Sequence, residues 1–168
     1  MKYRESLNIV NKDLQLPAIL AINSSINAEE SLFRVFEVLQ DFLDADGAFV
    51  NIFDVQKHSI VFVAHCRRNG LSSPLGSVEP PRSLRPLKIT DKVLNCSDIS
   101  EDRFTQKVLS ECLPDVKSYL MLSMDKEDRH LGVVCFYSRR YDQFNEAQRN
   151  LLKSLHDSFS LITSNALN

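Results

Sequence analysis

Residues 130–167, HLGVVCFYSRRYDQFNEAQRNLLKSLHDSFSLITSNAL, join an apolar run to an amphipathic one, and the way they join decides the fold. Val133 to Tyr137 is uninterruptedly apolar, too short for a helix and built from strand formers. It therefore reads as a strand covered on both faces, which makes it central in its sheet. After the polar break Ser138 to Gln143, Asn145 is placed to cap a helix, and Gln148, three positions on, can close a capping box. Ala147, Leu151, Leu152, Leu155, Phe159, Ile162 and Ala166 then recur at helical spacing. One closing helix running almost to Asn168 is expected.

Working outward, Tyr119 to Met124 (YLMLSM) is a second β-rich run, separated from Leu131–Tyr137 by the charged turn Asp125 to Arg129, so the two form a hairpin. Ala48–Phe53 (AFVNIF) and Ser59–Cys66 (SIVFVAHC) form another around Asp54 to His58. Between the hairpins, Gly70 and Gly76 with Pro74, Pro80, Pro81 and Pro86 mark a long irregular stretch. It is followed by a short extended piece from Leu94. A helix capped by Ser100 or Asp102 then carries Phe104, Val108, Leu109 and Cys112 inward until Pro114 ends it. Such an excursion inside a compact domain is often functional, which makes Arg67 to Leu113 the first place to look for a binding lid. At the front, residues 1–13 read as a flexible polar segment, and a short helix begins at Pro17 with Ile19, Ile22 and Ile26 on one face. Asn27 with Glu30 opens a second, strongly amphipathic helix carrying Leu32, Val35, Phe36, Leu39, Phe42 and Leu43 and ending near Asp46 and Gly47.

Strand runs in adjacent pairs, bracketed by helices at both ends, specify an α+β domain. Residues 14–168 form a single unit with a central antiparallel β-sheet, terminal helices on one face and the excursion over the other. The composition agrees: 168 residues with 43% hydrophobic and 25% charged residues suit one globular core. A net charge of −2, with basic residues paired only at Arg67–Arg68 and Arg139–Arg140, gives no footprint for direct nucleic-acid binding. No run approaches the about 20 apolar residues of a membrane helix, and the start MKYRESLNIV lacks a signal-peptide core. A cytoplasmic location is the expectation.

The front segment AINSSINAEESLFRVFEVLQDFLDADGAFVNIFD, residues 21–54, and the closing segment quoted above resemble the GAF domain family, small-molecule sensor and dimerisation modules whose fold is related to PAS domains. The resemblance runs from about Leu16 to Leu167 and rests on diffuse patterns: the helix pair leading into Ala45, Asp46 and Gly47, and the Leu131–Gly132 opening of the last strand. Within the family, SSIN with ADGAFVNIFD, the VAH of the second strand and the ending ITSNAL look like the amino-terminal sensory domains of bacterial enhancer-binding activators that depend on the nitrogen-type sigma factor. That resemblance implies a homodimer, a small-molecule effector, and an AAA+ output domain in a longer protein that regulates transcription. The chain has no G-x-x-x-x-G-K-[ST] phosphate loop, so it is not itself the ATPase.

If Phe53 pairs with Ser59, then Asn51 faces Val61, and His65 shares a sheet face with Phe49, Asn51 and Phe53. The resemblance places a ligand pocket between one sheet face and the excursion, which makes Asn51, His65, Cys66 and Cys96 candidate lining residues. The competing reading is that Asn51 and His65 are core polar groups satisfied by backbone partners. No metal is expected, because the four cysteines show no C-x-x-C or close Cys/His spacing. The chain shows neither the cysteine surroundings of bilin-binding relatives nor the Asn-Lys-Phe-Asp-Glu signature of cyclic-nucleotide-binding ones, so the identity of any cofactor stays open. No nucleophile elbow is present, and no catalytic residue and no enzyme activity are expected. Two other roles stand beside ligand sensing. One is a ligand-free dimerisation scaffold whose pocket is filled by Phe49, Phe53, Phe62 and Phe136; the other is a redox sensor acting through Cys66, Cys96 or Cys112. In the closing helix, Leu152, Leu155, Phe159 and Ile162 have the spacing of a dimerisation seam, and equally that of one wide face buried inside the domain.

Overall fold

The computed structural model of the chain describes residues 14–20, 28–54, 59–68, 70–72, 92–102 and 114–166. Helix α1 covers residues 14–20 and α2 is Ala28–Leu43. Strands β1 (Gly47–Asp54), β2 (Ser59–Arg67), β3 (Gly70–Ser72) and β4 (Val93–Cys96) follow, then a 3-10 turn at Ile99–Glu101. Strands β5 (Ser118–Lys126) and β6 (Arg129–Ser138) lead into α3 (Glu146–Ser154) and α4 (His156–Ala166). The six strands form one antiparallel sheet in the order β3-β2-β1-β6-β5-β4, so β6 lies between β1 and β5 as its apolar run requires.

One face of the sheet packs against the helices. Ala48, Val50 and Ile52 of β1, Leu120, Leu122 and Met124 of β5, and Val134 and Phe136 of β6 meet Leu32, Val35, Phe36, Leu39 and Leu43 of α2 and Leu151, Leu152, Leu155 and Phe159 from the closing segment. Phe36 and Phe136 stack with ring centroids 6.3 Å apart, tying α2 to the central strand. The terminal helices thus share one face, as the element order demands.

Several local expectations are corrected. Residues 14–16 are already helical, ahead of Pro17, which a helix tolerates in its opening turn because the first N–H groups have no intrahelical acceptor. The expectations of a flexible segment at 1–13, a cap at Asn27, the rest of the first apolar stripe and a helix through Cys112 fall outside the described residues. Helix α2 stops at Leu43, where Asp44 turns to φ 46°. The β1–β2 register differs by two residues from the expected one: Asp54 pairs with Ser59, and an irregularity between Ile52 and Phe53 brings Asn51 opposite Val63 instead of Val61. A two-residue shift preserves which side chains share a face. The closing helix is two helices, because the chain departs from regular helix at Leu155, whose N–H bonds back to the carbonyls of Leu152 and Lys153. Its start is as expected: Asn145 accepts from the Gln148 N–H at 2.9 Å and the Gln148 side chain returns to the Asn145 N–H at 2.7 Å.

The loop between α2 and β1 anchors the near ends of β2 and β6. Asp44 receives the side chains of both Arg68 and Arg140, and those two guanidinium contacts, Arg140 first, hold its carboxyl below the usual range. The Asp46 carboxylate accepts the Arg139 N–H at 2.6 Å, and its carbonyl accepts the Arg68 N–H at 3.1 Å. The second arginine of each basic pair is therefore an internal tie.

Candidate functional site

The sheet face turned away from the helices carries a separate, smaller cluster: Phe49 of β1, Tyr119 and Met121 of β5, Cys135 and Tyr137 of β6, with Ile99 and Val116 at one side and Leu94, Cys96 and Val133 packed on it. Alternation along β1, β2 and β6 adds Asn51 and His65 to this face, since Phe49 pairs with both His65 and Cys135, and Asn51 with both Val63 and Val133. Two of the expected lining residues, Asn51 and His65, thus share the face, and Cys96 packs at its β4 edge. Cys66 does not join them. It belongs to the helix-side core, its thiol 3.7 Å from the Ala48 carbonyl oxygen, because neighbouring residues in a strand point to opposite faces.

The most distinctive feature of this face is a buried polar bridge. His65 Nε2 and the Tyr137 hydroxyl are 2.6 Å apart, and the two rings lie 5.7 Å apart, although β1 separates the strands that carry them. Gly47 makes the crossing possible. It pairs with Arg67 on one side and Tyr137 on the other, and a Cβ there would collide with the Tyr137 ring and lie 2.7 Å from the Cys66 carbonyl oxygen. Burial, with the field of Arg67 second, lowers His65 to about 4, and burial raises Tyr137 to about 12. Both partners are neutral at pH 7, and a single N–H or O–H links them. A second polar contact lies toward β5, where the Tyr119 hydroxyl donates to Asp102 Oδ2 at 2.6 Å. The face is therefore apolar at its centre, with the neutral His65–Tyr137 pair and the Tyr119 hydroxyl set into it, the usual make-up of a small-molecule site.

Tyr137 and Tyr119 were not singled out from the sequence, and Asp102 was read only as a candidate helix cap. Tyr137 looked like one more apolar residue of a buried strand, and only the cross-strand register reveals its partner. The cysteines have little thiolate to offer: burial pushes Cys66 up to about 12, and raises Cys96 and, well above the ordinary thiol value, Cys135. Cys112 lies outside the described residues. Among the described residues no group of three or more His, Cys, Asp or Glu side chains could hold a metal ion, and no helix is long and apolar enough to cross a membrane.

In the closing segment, Leu152, Leu155 and Phe159 are buried in the chain's own core, with Leu155 fully so. These three of the four residues expected in a dimerisation seam thus line an internal face of the chain's own core. Ile162 lies in α4. Among the described residues, the exposed large apolar side chains are Leu16, Leu20, Tyr141 and Leu161.

A family model described as GAF domain matches residues 27–162. No curated protein sequence matches the chain. Among solved structures, the GAF domain of an Acinetobacter phosphoenolpyruvate-protein phosphotransferase is similar over 94% of this chain and 95% of its own, with 16% identity and a TM-score of 0.65. The free methionine-R-sulfoxide reductase of Neisseria meningitidis, solved with its substrate, aligns over 94% and 90% with 13% identity and a TM-score of 0.64. A far-red-absorbing dark-state protein with bound biliverdin aligns over 92% and 99% with 13% identity and a TM-score of 0.69. At these identities the similarity is one of fold.

Proposed function

The chain belongs to the GAF domain family, a family of signalling sensor modules, and from that premise we propose that it binds a small effector over the His65–Tyr137 face and passes occupancy to an output domain of a longer transcriptional regulator. The observation that carries the reading is the bridge itself, a neutral imidazole–phenol pair buried in an apolar sheet face on the side away from the described helices. A ligand carbonyl or hydroxyl can exchange with either member without placing a charge in the apolar site. Solved structures of the same fold that hold a methionine sulfoxide reductase substrate or biliverdin support ligand occupancy as a use of this fold. No enzymatic role is proposed: burial holds the described cysteines as thiols, and among the described residues no activated nucleophile faces the bridge.

Transmission needs two arrangements that the ligand tells apart. Strand β6 is suited to this because Tyr137 points to the ligand face while the preceding residue, Phe136, stacks on Phe36 of α2. The output domain proposed is an AAA+ ATPase that acts with the nitrogen-type sigma factor, and the functional unit is a homodimer in the cytoplasm. With Leu152, Leu155 and Phe159 committed to the core, Leu161 and the exposed residues of α1 are its candidate contacts. Native mass spectrometry of freshly purified protein tests the sensor reading. A retained small mass that is lost in Tyr137→Phe is expected; a chain of clean mass whose melting temperature no metabolite shifts would overturn it, and a clean dimer would favour the scaffold.

A further inference from the structure

One row of paired residues crosses the sheet beside the bridge: Arg67 on β2, Gly47 on β1, Tyr137 on β6 and Tyr119 on β5. Strand alternation places all four on the face of His65, because Arg67 stands two residues beyond His65 and Gly47 two residues before Phe49. Arg67 also pairs with Gly70 on β3, so glycines flank it on both sides and neither neighbouring strand sets a side chain beside its stem. Arg67 is exposed. After burial, its positive field is the next largest influence on both members of the bridge, disfavouring a proton on His65 and on Tyr137. Arg68 and Arg140 are committed to Asp44, whereas Arg67 has no carboxylate partner among the described residues. The other charges about the face are Arg139, whose N–H is held by the Asp46 carboxylate, and Asp102 on the far side, which accepts the Tyr119 hydroxyl.

We infer that the effector of this face is a small organic acid: Arg67 binds its carboxylate on the β2 side, and a neutral carbonyl or hydroxyl further along it meets the His65–Tyr137 bridge. The inference deepens the sensor reading and rests on it. A guanidinium takes a carboxylate through two parallel N–H donors, a planar match that fixes the acid's orientation as well as its charge. The ionic group stays at the exposed end of the site, and the apolar cluster around Phe49 and Cys135 receives only neutral atoms, so no charge is buried. Neighbouring strands lie about 4.8 Å apart, which sets the Arg67 and Tyr137 backbones about 10 Å apart across Gly47. Tyr137 leans over Gly47 toward β2 and narrows that gap to one that a molecule of a few carbons spans. An amine in the same place would meet Arg67 with the wrong sign.

Matched sets of small carboxylic acids, their primary amides and the corresponding amines test the inference on the full chain. They are led by para-hydroxybenzoate, para-hydroxybenzamide and para-hydroxybenzylamine, titrated at low and at high salt and followed at the backbone amides of His65 and Tyr137. Acids are expected to bind more tightly than their amides, to weaken with salt as the amides do not, and to lose about tenfold in affinity in Arg67→Gln. Arg67→Lys, which keeps the charge without the fork, should fall between. Lys153→Gln, which removes an exposed cation of α3, should leave acid binding unchanged. Amides or amines that bind as tightly as the acids, or acids indifferent to Arg67→Gln, would overturn the inference; if Tyr137→Phe still weakened them, the ligand face itself would stand. Binding by none of the three sets, or binding that neither Arg67→Gln nor Tyr137→Phe alters, would overturn both.

Discussion

Two glycines and a tyrosine show how single atoms set the layout of the sheet. Gly132, at φ 153°, sits opposite Ile52 so tightly that a Cβ would meet the Asn51 carbonyl group, its carbon 3.0 Å away; the position needs glycine both for conformation and for space. Gly47 leaves empty the volume that the Tyr137 ring occupies on its way across β1 to His65. Tyr137→Phe keeps the ring and removes the hydroxyl, depriving a buried imidazole nitrogen of its partner. A loss of about 1–3 kcal/mol is expected, measurable as a lower urea midpoint at pH 7.5 with an unchanged slope. A gain of stability would mean that His65 repacks at no cost. The cysteines invite a different measurement, since Cys66 and Cys135 are buried and Cys96 is partly exposed. Iodoacetamide under native conditions should leave the first two unmodified for as long as the domain stays folded and modify Cys96 ahead of them, which mass mapping resolves. Rapid modification of Cys66 would restore the redox reading.

At the scale of elements, the closing segment separates what was legible from what was not. The capping box at Asn145 was readable because it is a local contact between residues three apart, and both of its hydrogen bonds are present. Asn145→Ala removes that box from the start of α3 and should cost about 1 kcal/mol, visible as a lower thermal midpoint, whereas a neutral result would show that Gln148, which also donates to the Phe42 carbonyl at 2.7 Å, holds the helix by itself. The break at Leu155 was not readable, since apolar spacing continues through it at helical period. The buried stripe of α4, His156, Ser160, Thr163 and Ser164, escaped for a related reason: periodicity reasoning looks for apolar residues facing the core, and this stripe is polar. The face of His65 and Asn51 was legible despite a wrong register, because an error of two residues keeps side chains on the same side. The partner of His65 was not, because it lies two strands away in space and 72 residues away in sequence.

The whole molecule is a sheet with a helix-covered face and a second face built around the bridge, and the buried imidazole of that bridge makes stability depend on pH. His65 is held at about 4 by burial, below the ordinary imidazole value of 6.5, so its contribution to stability is complete above pH 6.5. Between the two values the unfolded chain takes up a proton that the folded chain refuses, and stability falls as pH falls toward 4, by at most about 1.4 kcal/mol per unit. Global unfolding sums every titrating group, so the pH dependence of the wild type alone does not identify His65. Comparison with His65→Gln isolates its contribution: from pH 7.5 to pH 5.0 the wild type should lose about 2 kcal/mol more than the variant in urea unfolding. Equal losses in the two proteins would mean that His65 is protonated in the folded state. The bridge to Tyr137 would then carry a charge, and the neutral hydrogen-bonding face on which ligand recognition is argued would have to be given up.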